Sequence, residues 1–425
     1  MAQRARRAAG GTGERVAREP LTGRVSRDWS QVVGSGPVGE RAAPTRYAVR
    51  GPYPWDRTRC AVTRRRAPRR LSCPAMRRAT GFAPGRINLI GEHTDYNDGL
   101  VMPIALRLGV TVAATSRDDA TIRLTTDAPV TPQHGSYILG TERSDGTWLD
   151  RAKGVTAILA REGARIGGFG ADVRSDLPVG AGLGSSAAFA IALLRAVSKL
   201  FDLAVDDAAA ARIAHAAESE FGGARSGMLD QLASVYGRPS DALLIDMRDH
   251  DTEVIALPRT IEVAVIDSGT RHEHATGEYN RRRAECEQAC VHLGVVSLRD
   301  VEARPLDEIL ERLPSPLDRR VRHVVTENAR VRRAVDAVRA HDDAGLGEIL
   351  DASHRSLRDD YQVSTPELDQ LVQLATGAGA FGARMVGGGF GGSIIALTRR
   401  GEGRKLATRV LEGYRGDGNL VAVVP

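Results

Sequence analysis

The sequence predicts an α+β fold, and three observations carry that prediction. Strand-like and helix-like segments follow one another without strict βα alternation. Strand material returns near the C-terminus after a long helical stretch. Two glycine-rich turns interrupt the pattern, one opening onto a helix former and the other onto an apolar strand. With 425 residues the chain is long enough for two domains with full-sized cores.

The elements follow in chain order from Met76. Val110–Ala114 and Thr121–Thr125 alternate like strands, with a turn at Asp118-Asp119 between them. Val155–Glu162 reads as a helix and Gly170–Val173 as a short strand. Ala187–Phe201 is Ala-rich, free of proline and helical, and Val205–Phe221 and Gly227–Tyr236 are further helices. Ala242–Asp246 and Val263–Asp267 read as strands, the second a buried run. Glu278–Leu293 is a helix with charges on one face, residues 320–360 hold two more, and Pro366–Ala375 another. Met385, Ile394–Leu397 and Val421–Val424 supply the closing strands.

Residues 1–75 have a different texture. They carry 17 arginines, no lysine and five acids, a surplus of +12, so residues 76–425 hold −6 of the chain's net +6. The basic balance belongs to this segment, and it gives no ground for nucleic-acid binding by the folded body. The segment shows neither strand nor helix period and reads as a disordered leader, or as sequence translated ahead of the true start. A transit peptide is disfavoured by few serines and great length, and a signal peptide by the lack of an apolar core. No apolar run reaches the ~20 residues needed to cross a bilayer. Four cysteines make no disulfide framework, and Cys286 and Cys290 lack partners for a zinc site, so a reducing, cytoplasmic setting is expected.

Four segments carry chemistry. Gly85–Gly99 crowds Arg86, Asn88, Glu92, His93 and Asp95 into a short stretch between glycines. Carboxylates accept paired sugar hydroxyls and a guanidinium organises oxygens, but a polar surface turn after a strand fits equally well. Leu177–Ala188 places glycines at 180, 182 and 184 and then Ser185-Ser186 at the start of a helix. Orphan amides at a positive helix end suit phosphate. The competing reading is a glycine turn capped by Ser185 or Ser186. Neither a Walker A loop nor a dinucleotide-binding fingerprint matches, which disfavours a dinucleotide-dependent oxidoreductase. Met385–Ser393 has five glycines in six residues, and the strand after it argues for a turn lodged inside the fold. Last, Glu218 stands twelve residues before Asp230, and such acids near a phosphate loop can hold Mg²⁺ or face a substrate hydroxyl.

In this order the segments resemble those of the GHMP kinases, and the first is similar to the galactokinase signature almost letter for letter. The similarity runs from about Ala83 to the C-terminus and takes in Ile266–His272, Glu278–Arg283 and Ser353–Tyr361. It implies a two-domain fold with mixed sheets and helices and the active site in the interdomain cleft. The boundaries expected are 1–75 for the leader, 76–255 for the N-terminal domain and 256–425 for the C-terminal domain. By position, Arg86, Glu92, His93, Asp95, Gly227, Asp230 and Tyr279 match the family's sugar site. Gly180, Ala181, Gly182, Leu183, Gly184, Ser185, Ser186 and Ala187 match its ATP phosphate loop, and Ser186 and Glu218 its Mg²⁺ ligands. The implied reaction is transfer of the ATP γ-phosphoryl group to the C1 hydroxyl of α-D-galactose, with Asp230 and Arg86 catalytic. The resemblance implies ATP and Mg²⁺ as cofactors, galactose and ATP as partners, and no nucleic-acid or membrane partner; a monomer is expected.

Three departures from the family stand out. Its Ser-Ser-Ser is here Gly184-Ser185-Ser186, and its Leu-Glu after the loop is Phe189-Ala190. The short helix and first strand that normally precede Ala83 are not recognisable in residues 55–82, and a missing first strand would weaken the N-terminal domain. Two rivals are weighed. A catalytically silent galactose sensor would lack the Ser-Ala pair that Ser186-Ala187 supplies, and kinases of other sugars usually depart from His93-Thr94-Asp95-Tyr96-Asn97.

Overall fold

The computed structural model describes Thr63–Arg64 and residues 76–425, apart from residues 224 and 272–274. The expectations placed on residues 1–75, and on His272, lie outside the described residues, apart from those two.

Two antiparallel-rich sheets organise the chain. The larger runs β10 (Thr252–Ala256), β9 (Asp241–Asp246), β4 (Pro103–Ser116), β7 (Phe169–Ser175), β5 (Thr121–Thr126), β6 (His134–Ile138), with β2 (Arg78–Asn88) on β4 and β3 (Leu100–Val101) on β9. Its one parallel ladder joins β5 to β7. The smaller runs β12 (Gly382–Val386), β13 (Gly391–Arg399), β11 (Ile261–Arg271), β14 (Asn419–Val424). A two-residue pair links β1 (Thr63–Arg64) to β8 (Leu203–Ala204).

Helices cover both sheets. α1 (Asp150–Arg161), α2 (Ser185–Leu200), α3 (Asp207–Phe221) and α4 (Leu229–Tyr236) belong with the large sheet. α5 (Ala275–Leu293), α6 (Leu306–Leu310), α7 (Leu317–Ala340), α8 (Asp343–Ser356), α9 (Pro366–Gly377) and α10 (Gly403–Gly413) gather around the small one. α2 is apolar almost all round because it is enclosed on every side, with Ala187–Leu194 all buried.

The small sheet explains its own sequence pattern. In β13, Ile395 and Leu397 enter one core while Ile394 and Ala396 enter another, and β11 divides Val263 and Val265 from Ile266 in the same way. Alternate side chains leave opposite faces of a strand, so a sheet covered on both faces needs a continuous apolar run. The first core is continuous from the large sheet through α2 to β11, β13 and α7.

The strand that is not recognisable in the sequence ahead of Ala83 is present. β2 pairs with β4 from Arg78↔Thr115 to Asn88↔Pro103. It escaped pattern reading because Pro84-Gly85 interrupts it midway, where the register shifts between Pro84 and Arg86. β2 has a ladder on one side only, which tolerates a proline without an N–H. The bulge also turns Arg86 into the site described below. Sequence reading also missed β6, β10, α6 and α10, which are short or, in α10, interleaved with charge.

Candidate active site

Gly85–Leu106 folds as the end of β2, a single 3₁₀ turn at Asp95–Asn97, β3 and the start of β4. Thr94 ties the turn, since its hydroxyl lies 2.8 Å from the Gly91 carbonyl and 2.7 Å from that of Leu100. Of the two readings of this segment, the surface turn fails: Arg86, Asn88, Glu92, His93 and Thr94 are all buried.

An ion pair forms the centre. Arg86 Nε donates to Asp230 Oδ1 at 2.8 Å, Nη2 lies 2.5 Å from the same oxygen, and Nη1 donates to the Gly182 carbonyl. Asp230 projects from the first turn of α4. Burial alone would lower the Arg86 pKa, but Asp230 and then Glu92 hold it raised.

Glu92 is fixed by two hydrogen-bond donors and an ion pair. Asn88 Nδ2 lies 3.2 Å from Oε2, the Gly387 amide 2.8 Å from Oε1, and Arg384 Nη2 3.3 Å from Oε1. Burial raises its pKa, and Arg384 and Arg86 oppose that rise. Asp95 accepts the Gly227 amide at 2.9 Å. Its carboxyl is pushed up to about 7, by burial first and then by the charges of Asp230 and Glu92. His93 hydrogen-bonds Tyr96 OH through Nδ1 at 2.8 Å and lies between the rings of Tyr279 (5.2 Å) and Tyr361 (4.7 Å). Burial holds its pKa well below the ordinary histidine value, so the ring is neutral.

The glycine loops meet at the ion pair. Gly180, Gly182 and Gly184 have φ of +71°, +76° and +72°. Such alternation turns backbone amides to one side, the arrangement that receives anions. Gly184 is the N-cap of α2 and no side chain caps the helix, so the Ser185 or Ser186 cap is not formed and the orphan amides stay free of side-chain partners. A Cβ at Gly184 would lie 3.4 Å from both Arg86 Cγ and Asp230 Oδ2. The second loop lies directly against the first: a Cβ on Gly387 would come within 2.9 Å of Gly182 Cα. Ser393 Oγ completes the contact by donating to the Ala181 carbonyl at 2.9 Å. The Met385–Ser393 turn is thus inside the fold, as expected.

Glu218, near the end of α3, accepts Gln231 Nε2 at 2.7 Å, and its pKa is raised by burial and then by Asp230. Arg151 Nη2 lies 3.7 Å from its other oxygen. Ser186 stands in the first turn of α2 and shares no direct hydrogen bond with Glu218. Among the described residues no three His, Cys, Asp or Glu side chains gather as a metal cage. A sparse oxygen set of one carboxylate and one hydroxyl nevertheless fits Mg²⁺ in a kinase, where substrate phosphates and water complete the shell.

Arg384 and Gln231 were missed from the sequence, and Asn88 was noted there without a role. Arg384 is fully buried, and Nη1 donates to the carbonyls of Asn88 (3.1 Å) and Leu89 (3.0 Å). A lone arginine inside the apolar run Gly382–Val386 was the available signal, because a buried charge needs partners.

Comparison with known proteins follows the same map. Residues 74–116 match the galactokinase galactose-binding signature, 150–238 the GHMP kinases N terminal domain, and 334–416 the GHMP kinases C terminal domain. The chain is 43% identical to a galactokinase of Streptomyces coelicolor over 74% of its length and 83% of that protein's. It is 42% identical to one from Mycobacterium bovis over 77% and 91%. The structure of Lactococcus lactis galactokinase complexed with galactose superposes with a TM-score of 0.75 at 30% identity, covering 81% of this chain and 92% of that one. Mevalonate kinase from Methanococcus jannaschii, at 16% identity, shares the fold, with a TM-score of 0.61 over 83% of this chain and 99% of that one.

Proposed function

The chain belongs to the galactokinases within the GHMP kinases, and from that premise we propose that it transfers the γ-phosphoryl group of ATP to the C1 hydroxyl of α-D-galactose. The products are galactose 1-phosphate and ADP. The observation that carries the reading is the place of the Arg86–Asp230 pair, between the Gly180–Ala187 loop and the Glu92–Asp95 segment. One side of the pair suits phosphate and the other suits hydroxyls.

Glu92, Asp95 and His93 hold the sugar, with Tyr279 packed against His93 and the Gly227 amide fixing Asp95. Asp230 Oδ2, on the side of Gly184, accepts the hydrogen bond of the attacking hydroxyl and receives its proton as the new P–O bond forms. The bond from the γ-phosphorus to the β,γ-bridging oxygen breaks, and ADP leaves. Arg86 and the amides at the start of α2 face the charge that develops on the transferring group, which is most of what phosphoryl transfer requires. Ser186 and Glu218 are the residues that would hold Mg²⁺, which when bound neutralises phosphate charge. The division near residue 256, the monomeric state and a cytoplasmic setting belong to the same proposal; sizing in solution checks the second.

An ATP-consumption assay over a panel of sugars, with and without Mg²⁺, tests the reading. Turnover should be Mg²⁺-dependent and greatest with galactose; a preference for another hexose would overturn it. Asp230→Asn should cut kcat by roughly 10²–10⁴-fold while galactose binding stays measurable. Retained turnover would remove Asp230 from its role.

A further inference from the structure

Behind the sugar segment lies a buried polar wall that the chemistry above does not use. Two side chains of α7, one helical turn apart, reach the backbone on either side of Glu92. His323 Nε2 lies 3.1 Å from the Glu92 carbonyl oxygen, and Glu327 Oε1 accepts the Gly91 amide at 3.0 Å. Both side chains are fully buried. Each is held in turn from the Ser353–Tyr361 segment. Ser356 Oγ is 3.0 Å from His323 Nδ1, and Ser353 Oγ donates to Glu327 Oε1 at 2.7 Å. Arg330 Nε adds a 2.6 Å bond to Glu327 Oε2.

The backbone these groups grip is not relaxed. Gly91 has φ of +99° and His93, which carries a side chain, has φ of +62°. A left-handed non-glycine residue persists only where its surroundings over-determine it. Gly91 takes its angle freely as a glycine, but His93 is in a conformation that needs external anchors, and α7 supplies them just upstream, at Gly91 and Glu92.

We propose that His323 and Glu327 are positioning residues for sugar binding, which hold the Gly91–His93 backbone so that the Glu92 and His93 side chains face the substrate. The inference rests on the assignment of Glu92 and His93 to the galactose site. His323 acts as a neutral ring: burial lowers its pKa to about 4, and Nε2–H donates to the Glu92 carbonyl, while Nδ1 faces Ser356 Oγ, whose hydroxyl also reaches Asp360 Oδ2 at 2.9 Å. Glu327 acts as a carboxylate: burial would raise its pKa, but the charge of Arg330 above all holds it down at about 2.

Three variants of the full chain test this: His323→Leu, which removes the donor, His323→Gln, which keeps one, and Ser356→Ala, which removes the hydroxyl behind the ring together with its bond to Asp360. Galactose KM, ATP KM and thermal stability are measured for each, with galactose binding measured directly by calorimetry. His323→Leu should weaken galactose binding about tenfold or more with ATP KM within twofold of wild type, as expected for loss of a buried hydrogen bond that orients a ligand. His323→Gln should restore most of it, and Ser356→Ala should show a smaller loss of the same kind. Lowered thermal stability with unchanged galactose affinity would overturn the proposal, as would equal rises in both KM values. A wild type that binds and phosphorylates no galactose would overturn the site assignment as well, and that failure is told apart because it appears before any substitution is made.

Discussion

Asp95 stands beside the charges of Asp230 and Glu92 in a buried site, and that makes the ligand-free protein sensitive to pH. Its pKa is about 7 in the fold against an ordinary aspartate value of 3.8. Between these values the native protein holds a proton that the unfolded chain has released. The contribution to stability is thus fully present below about pH 4 and is lost as pH rises through about 7. Three units correspond to about 4 kcal/mol at 1.36 kcal/mol per unit. Asp95 is only half-buried, and solvent screening reduces this to ~2 kcal/mol. Asp95→Asn removes the titration while keeping an oxygen for the Gly227 amide. In urea unfolding of the ligand-free protein, wild type should therefore lose ~2 kcal/mol relative to Asp95→Asn between pH 4 and pH 8. Galactose should act in the opposite sense, because hydroxyl donors favour the carboxylate. Wild-type galactose KM should rise about tenfold from pH 8 to pH 6 while ATP KM holds. Parallel stability profiles for the two proteins would show that Asp95 titrates in the ordinary carboxylate range, and the reasoning would fail.

Two further substitutions probe the neighbouring contacts. In Gly227→Ala the new Cβ would lie 2.4 Å from Asp95 Oδ2, so Asp95 must move and lose its amide donor. Galactose KM should rise about 10–100-fold, the worth of a charge-assisted hydrogen bond, with ATP KM near wild type; an unchanged galactose KM would detach Asp95 from the sugar. Glu218→Gln should raise the Mg²⁺ concentration needed for half-maximal turnover about 10–100-fold without altering galactose affinity, and an unchanged Mg²⁺ requirement would remove Glu218 as a ligand.

What the sequence disclosed, and what it hid, follow from the range of the interactions involved. Periodic elements such as α2 and β11 were legible because their burial is written in neighbouring residues. β2 was not, since Pro84-Gly85 breaks the local signal and the strand is secured by a ladder to β4. Arg86 was named from its motif, but that it stands at a bulge, paired with an aspartate 144 positions away, is a property of the fold. The same holds for the wall behind Glu92. His323 and Glu327 lie in residues 320–360, which the sequence shows only as two helices, whereas in the fold both side chains are fully buried.

Gly184 shows how far a motif alone can carry an argument. Read as a sequence, it is a serine position that has lost its hydroxyl. In the fold it is the left-handed N-cap of α2, with φ of +72°, beside Arg86 and Asp230. At that backbone angle a glycine avoids the roughly 1–2 kcal/mol that a side chain would cost. The substitution therefore relaxes the loop while leaving the helix-end amides uncapped. Ser185 and Ser186 remain in the first turn, so the hydroxyl expected to serve a cation, on Ser186, is retained. The loop's contribution to phosphate binding rests on the direction of its backbone amides, which the change to glycine preserves.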